Sequence, residues 1–194
     1  MIGNNMFAYG LNNPSCMADH DGEDAVYVVT TGTDGIPVVG HAILFLQDSE
    51  GNWYKTHYTG TKKKNAKVHT YKVSESDMQS YFLSKNVKHI YISGDFSDSY
   101  ELAQSYNGSN YGGYNLFSNN CLHYVKELLK AGSPEKPWFN LAINGREIRP
   151  MSFYKSLVRA QSIGKAAEWV GKKIEASNTR SAPKGVIKYV FTAW

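Results

Sequence analysis

The sequence predicts an α+β fold in which an antiparallel sheet packs against a helix that opens on a cysteine. Short segments rich in β-branched and aromatic residues, separated by turn signals, fill the first half of the chain. An amphipathic segment follows at residues 119–131, where Gly132 and Pro134 end the helical pattern. Later helical patterns predict additional C-terminal helices.

The composition fits one globular domain with an extension. The chain has 194 residues, is 42% hydrophobic and contains 14 tyrosines, which suits a single core. Its formal net charge of +4 does not indicate nucleic-acid binding, although it permits attraction to anionic surfaces such as phospholipid or cell wall. No apolar run has transmembrane length, and the first residues lack a signal-peptide pattern, so we expect neither element in this sequence.

The predicted strands follow from local composition and alternation. The second is apolar on both faces and is therefore expected at the centre of the sheet. Residues 48–51 carry the turn signals of a hairpin to the third strand. The predicted strands are residues 24–31, 36–46, 52–59, 67–73, 87–92 and, near the end of the chain, 186–192.

The predicted helices are marked by apolar spacing and by capping residues. Ser74 or Ser76 can cap the first helix, and residues 107–118, rich in Gly, Asn and Tyr, read as a loop. Residues 133–150, punctuated by proline, are expected to be irregular, and the last helical pattern to pack on the core. The predicted helices are residues 76–84, 97–106, 119–131, 151–161 and 165–176.

Cys121 is the candidate nucleophile. At a helix N-terminus the macrodipole and unpaired N–H groups stabilise a thiolate, so the position predicts a depressed pKa. Cys16 lies in a turn-rich segment without a helix behind it, and two cysteines allow at most one disulfide bond. Two alternatives stay open: a zinc site formed with nearby histidines, and an inert core cysteine in a domain that only binds.

His41 is the candidate base, because a polar imidazole in a strand whose other residues are apolar suggests a functional role for the ring. His57 is the candidate orienting residue. A hairpin loop with an odd number of residues, using Gly51 in the left-handed region, puts the two histidines on one face of the sheet. A two-residue loop puts them on opposite faces. His69, on the following strand, is expected to pack rather than to act.

The motifs Gly40-His41-Ala42, His57 and Asn120-Cys121-x-His123-Tyr124 resemble the circularly permuted NlpC/P60 papain-like group, and within it the lecithin retinol acyltransferase-like branch. The matching core spans about residues 25–132. The resemblance implies a papain-like fold with Cys121 as nucleophile, His41 as base and His57 as the polar third member. His123 matches the helix histidine of the motif, whereas Leu122 replaces its glutamate and Tyr124 its phenylalanine.

The first 22 residues resemble the end of an Rhs (rearrangement hotspot) repeat-associated core, which precedes a variable toxin domain. His20 stands where that pattern has proline. The matching residues are Tyr9, Asn12, Asn13, Pro14, Asp19 and Gly22. The resemblance implies a bacterial polymorphic toxin, delivered to a target cell within a larger protein and paired with an immunity protein. The expected organisation is a linker at 1–22 and a domain at 23–194, with its helical extension starting near 133.

The expected function is thiol-dependent hydrolysis of a peptide or amide bond, without cofactor or metal. A lipid-ester substrate, as in the acyltransferase-like branch and in phospholipases, is the first alternative. A non-enzymatic binding module on the same scaffold is the second. The amphipathic pattern of the C-terminal helical segment also permits a membrane-surface role, but core packing is the commoner use of such a pattern.

Overall fold

The computed structural model describes residues 24–31, 40–60 and 65–181, with residues 174–181 described by their backbone. The described part is mixed α+β, with a five-stranded antiparallel sheet and five helices. This agrees with the predicted α+β class and with the predicted antiparallel sheet. The N-terminal segment 1–22 with Cys16, the first residues of the second predicted strand and the predicted strand at 186–192 lie outside the described residues.

The main sheet has the order β4-β3-β2-β1-β5, with every neighbouring pair antiparallel. The central position of β2 explains why its sequence is apolar on both faces. Predicted and observed bounds coincide for β4 and β5. The strands are β1 Ala25–Thr30, β2 His41–Gln47, β3 Trp53–Thr59, β4 Lys67–Val73 and β5 Val87–Ile92.

Helices cover both faces of this sheet. Two short strands, β6 Gly94–Asp95 and β7 Ser133–Pro134, pair with each other beside it. Ser74 caps the first helix by accepting a hydrogen bond from the Asp77 amide at 3.1 Å. The helices are α1 Glu75–Phe82, α2 Ser97–Tyr106, α3 Cys121–Ala131, α4 Pro137–Ile143 and α5 Pro150–Ser181.

Alternate residues of the central strands enter two separate cores. Ala42, Leu44 and Leu46 of β2 pack with Cys121 and the apolar stripe of α3, and we call their side of the sheet the α3 face. Ile43 and Phe45 pack with Trp53 and with Met78 and Phe82 of α1 on the opposite side, the α1 face. Because successive strand residues point to opposite faces, the position of a residue along β2 decides which helix it meets.

The β2–β3 hairpin closes with the odd loop that the sequence allows. The Asp48 N–H donates to the Asn52 carbonyl at 3.0 Å and the Gly51 N–H donates to the Asp48 carbonyl at 2.9 Å, which leaves a three-residue loop. Gly51 has φ +79°, a left-handed conformation that glycine adopts without strain. His41 and His57 therefore share a face of the sheet, as expected.

The region after α3 differs from the sequence prediction. Residues 133–150, expected to be irregular, contain β7 and the helix α4. Phe139, Ala142 and Ile143 of α4 are buried in the core that contains Cys121. Pro137, one of the prolines that predict a break, stands in the first turn of α4, where a missing N–H costs nothing.

The prediction of two separate helices at 151–161 and 165–176 is also wrong, because α5 is continuous from Pro150 to Ser181. Gly164 does not end the helix. It allows the Trp138 ring to approach so closely that a Cβ would lie 2.2 Å from it. Residues 165–173 are exposed throughout, so this part of α5 does not pack on the core as expected. In the part of the chain that the structure describes, no helix is both long and apolar enough to cross a membrane.

Candidate active site

Cys121 is the first residue of α3, and Asn120 is its N-cap. The Asn120 side-chain oxygen accepts hydrogen bonds from the Leu122 N–H at 2.9 Å and from the His123 N–H at 3.1 Å. These are two of the backbone donors that a helix start leaves without an intrahelical partner. The helix therefore begins at Cys121, two residues after the predicted start at 119, and the thiol lies in its first turn.

Asn120 also joins the nucleophile helix to two other segments. Its side-chain nitrogen donates to the Leu116 carbonyl at 2.7 Å and to the Ile148 carbonyl at 3.4 Å. The residue is 2% exposed, so these polar groups depend on one another. Sequence reasoning used Asn120 only as part of a motif and did not identify this cross-link, because the segment containing Ile148 is distant in sequence.

Backbone donors surround the Cys121 thiol. The Ala42 N–H of β2 donates to Sγ at 3.4 Å, and the N–H groups of Leu122 and of Cys121 itself also act on the sulfur. The Tyr114 hydroxyl, from the loop before α3, also acts on the thiol and favours its charged form. The sulfur therefore lies between the start of α3 and the start of β2.

Burial decides the protonation of this thiol. Cys121 is 3% exposed, and desolvation raises its pKa even though the surrounding N–H groups and the Tyr114 hydroxyl act in the lowering direction. The expectation of a depressed pKa is thus wrong for this structure. The helix start is present as predicted, but the cost of burying a charged sulfur outweighs its effect. The resting group is a neutral thiol, which requires a base to become a nucleophile.

His41 and His57 meet at the same end of the sheet. Nε2 of His41 lies 3.2 Å from Nδ1 of His57, and the ring centroids are 5.4 Å apart at an interplanar angle of 79°. The β2–β3 register pairs Leu44 with Thr56, so continuing it makes the two histidines diagonal neighbours. The pairing that the hairpin predicts is therefore present.

The thiol and the imidazole of His41 reach this end of the sheet from opposite sides. The Ala42 nitrogen is two covalent bonds from the His41 Cα, so Sγ lies beside the His41 backbone. Strand alternation, however, places the His41 side chain with Ile43 on the α1 face, whereas Cys121 comes from the α3 face. The residues of β2 that pair with β3 start at Leu44, so the Ala42 N–H lies beyond this ladder. It donates to the thiol there.

His57 is a neutral partner for His41. Burial lowers the pKa of His57 to about 3, and the positive charges of His41, Lys55 and His69 add to that effect. His69 faces His57 directly across β3 and β4, with ring centroids 5.5 Å apart, and is exposed. His69 therefore adds a third imidazole at the outer edge of the pair, rather than packing in the core.

His123 belongs to the helix start. Its Nδ1 lies 3.0 Å from the Asn120 side-chain oxygen, and burial, followed by the charge of Lys126, lowers its pKa. The ring lines a cleft of about 470 Å³ that runs beside α3 and also contains Lys126, Lys130, Arg146 and Ile148. This cleft, which the sequence did not indicate, combines α3 with a segment that tertiary packing brings next to it.

The described residues contain no group of three or more His, Cys, Asp or Glu side chains positioned to hold a metal ion. The zinc site considered from the sequence, with Cys121, His41, His57 and His123 as ligands, is therefore not formed by these residues. Comparisons with protein-family models, with curated proteins and with solved structures found no match for this chain.

Proposed function

We propose that the chain is a thiol-dependent hydrolase or acyltransferase, with Cys121 as nucleophile, His41 as general base and His57 as the residue that orients His41. The observation that carries the proposal is the Ala42 N–H on the Cys121 sulfur at 3.4 Å, which holds the thiol at the backbone of the residue that pairs with His57. A buried thiol and a histidine pair at one end of a sheet are the parts that acyl transfer requires.

In the proposed reaction, the His41 ring, which strand alternation places on the other side of the sheet, turns toward the sulfur beside its own backbone. It takes the proton of the neutral thiol while the sulfur attacks the carbonyl carbon of the substrate. The carbonyl becomes a tetrahedral oxyanion, stabilised by the backbone N–H of Cys121, since the next two N–H groups of α3 donate to the Asn120 side chain. When this intermediate collapses, the bond from carbon to the leaving nitrogen or oxygen breaks, and His41 returns the proton to the leaving group. Water, deprotonated by His41, then attacks the thioester and releases the acid and the free thiol.

His57 sets the tautomer of His41 in this proposal. Because the pKa of His57 is lowered to about 3, its ring is neutral near pH 7 and its Nδ1 can accept a hydrogen bond. Before the ring turns toward the thiol, the Nε2–H of His41 donates to His57 across the 3.2 Å contact. This contact leaves Nδ1 of His41 as the unprotonated nitrogen that takes the proton of the thiol. His57 is a positioning residue, since it acts through His41.

The substrate in the proposal is a peptide or amide bond. The chain itself is the toxin domain of a larger bacterial protein, which is delivered to a target cell and has an immunity partner. The support for that setting is the motif resemblance of the first 22 residues. Because Cys121 is 3% exposed, the substrate carbonyl reaches the sulfur only when a side chain over it moves. Tyr114, which is half-buried and whose hydroxyl acts on the thiol, is the side chain that we assign to this role.

The experiment is a variant series assayed on three substrate classes: peptidoglycan fragments, model peptides and phospholipid vesicles. Cys121→Ala and His41→Ala should each remove nearly all turnover, His57→Ala should leave a measurable residue, and His69→Ala should remain close to the parent. Full activity in a folded His41→Ala variant would refute the assignment of the base. Release of fatty acid that depends on Cys121, without amide cleavage, would replace the amide substrate by a lipid ester.

A non-enzymatic binding module is the second candidate, and the burial of Cys121 with its raised pKa favours it. Iodoacetamide labelling of the folded protein, followed by peptide mapping, separates the two. A catalytic thiol should be alkylated faster in the parent than in His41→Ala at the same pH. Equal rates in both proteins would favour the binding module.

A further inference from the structure

Large apolar side chains are displayed to solvent immediately before the nucleophile helix. Phe117 is 75% exposed and Leu116 is 38% exposed. The turn that carries them is ordered: Asn115 and Asn119 exchange two backbone hydrogen bonds, of 2.8 and 2.9 Å. The Asn115 side chain also accepts from the Phe117 N–H at 2.9 Å. The exposure of Phe117 is therefore a property of a closed turn.

Ile148 extends this apolar surface from a different part of the chain. It is 47% exposed, and its carbonyl and that of Leu116 accept hydrogen bonds from the same Asn120 side-chain nitrogen. We call Leu116, Phe117 and Ile148 the apolar rim. The shared donor holds Leu116 and Ile148 close together, and Phe117 follows Leu116 in the same turn. Neighbouring exposed large apolar residues indicate contact with another apolar phase more strongly than single ones do.

Cationic side chains flank the apolar rim. Lys130 and Arg146 are exposed in the cleft that Ile148 also lines, and Arg149 is exposed next to Ile148 in sequence.

The carboxylates of the cleft already have partners. Glu127 accepts hydrogen bonds from the hydroxyls of Tyr106, at 2.8 Å, and of Tyr111. Glu147 accepts one from the Ser156 hydroxyl and lies 4.0 Å from the Lys126 ammonium. Among the described residues no ion pair includes Lys130 or Arg146, so these exposed cations can meet an external anion.

We propose that the apolar rim and its flanking cations form a docking surface for an anionic phospholipid bilayer. In this arrangement Leu116, Phe117 and Ile148 enter the boundary between headgroups and acyl chains, while Lys130 and Arg146 contact lipid phosphates. Charge complementarity selects an anionic leaflet, and the apolar rim distinguishes a bilayer from a soluble anion, which would leave Phe117 in water. The surface adjoins the start of α3, so docking brings the nucleophile end of the domain to the membrane.

The test is co-sedimentation of the full chain with vesicles of phosphatidylglycerol and phosphatidylcholine in equal parts, and with vesicles of phosphatidylcholine alone. All proteins carry Cys121→Ala, so binding is measured without turnover and does not depend on the proposed function. Phe117→Ser should lower the partition coefficient about tenfold, because part of its apolar area no longer leaves water. Lys130→Gln and Arg146→Gln should each lower it roughly fivefold on anionic vesicles only.

Leu83→Ser is the matched control, since Leu83 is 86% exposed but follows α1 on the opposite face of the sheet. It should bind vesicles like the parent. Trp169→Ser examines the exposed part of α5, where Trp169 is also solvent-accessible. Absence of binding to anionic vesicles, or an equal loss in Leu83→Ser and Phe117→Ser, overturns the proposal. Loss of binding in Trp169→Ser with none in Phe117→Ser overturns it as well, and assigns the membrane contact to α5.

Discussion

Replacing Asn120 by alanine should destabilise the domain more than the loss of an ordinary helix cap does. The side chain satisfies the N–H groups of Leu122 and His123 and donates to the carbonyls of Leu116 and Ile148. Losing a cap costs about 1 kcal/mol. Leaving the part-buried carbonyls of Leu116 and Ile148 without this donor adds at most a further ~1–3 kcal/mol. We therefore expect the free energy of unfolding to fall by roughly 2–4 kcal/mol.

Urea denaturation followed by circular dichroism measures this loss, and a thermal melt should show it as a decrease in Tm of about 2–4 °C per kcal/mol for a chain of this size. Ser74→Ala is the matched control. Ser74 also caps a helix, accepting one hydrogen bond from the Asp77 amide, but it is exposed and joins no distant segment. Its loss should cost about 0.5–1 kcal/mol.

Asn120→Ser separates the two roles of the residue. Serine can still accept from the first amides of α3, but its side chain is too short to reach the Leu116 carbonyl, so its stability should fall between those of the parent and of Asn120→Ala. Should Asn120→Ala lose no more stability than Ser74→Ala, the cross-link between the loop, α3 and the segment before α5 contributes nothing, and the reasoning fails.

The remaining predictions concern protonation and glycine packing. Because burial raises the pKa of Cys121, its alkylation rate in the folded protein should keep rising above the range of a free thiol, near pH ~8.5, and stability should fall there because the unfolded chain loses this proton first. A rate that levels off near neutral pH would contradict this. The pKa of His57 is lowered to about 3, so the stability it contributes is present above about pH 6.5 and is lost as the pH falls toward 3. Denaturation at pH 7 and pH 4 should show a smaller difference for His57→Asn than for the parent, and an equal one would refute the assignment. Gly164→Ala puts a Cβ 2.2 Å from the Trp138 ring and should lower the unfolding free energy by about 1–3 kcal/mol in thermal melts, whereas Gly171→Ala, with nothing within 4 Å, should raise helicity; equal behaviour of the two variants would argue against the contact.

Local sequence determined the elements whose signals are complete within a few residues. Strands β4 and β5 and helix α2 have the predicted bounds, because alternation and apolar spacing are short-range patterns. The contact between His41 and His57 was also predictable. The number of residues in one hairpin loop decides whether the two histidines share a face of the sheet. Gly51 is the residue in that loop that adopts the left-handed conformation without strain.

Other features were decided by contacts between segments far apart in sequence. Helix α4 forms where proline predicted irregular chain, because Phe139 and Ile143 are buried against the main core. Helix α5 continues through Gly164 since the missing side chain makes room for the Trp138 ring. In both places the residue that reads locally as a helix breaker occupies a position where it is tolerated or required.

The candidate site shows the same division. That Cys121 begins a helix follows from its neighbours in sequence, and so does its cap, Asn120. The protonation of the thiol does not, because the pKa depends on how much water β2, α3 and the loop with Tyr114 exclude from the sulfur, and their packing raises it. The tertiary structure likewise decided that Cys121 approaches from the α3 face while His41 belongs by alternation to the α1 face. Sequence order can name a nucleophile and a base, but the side of the sheet from which each arrives depends on where the helices pack.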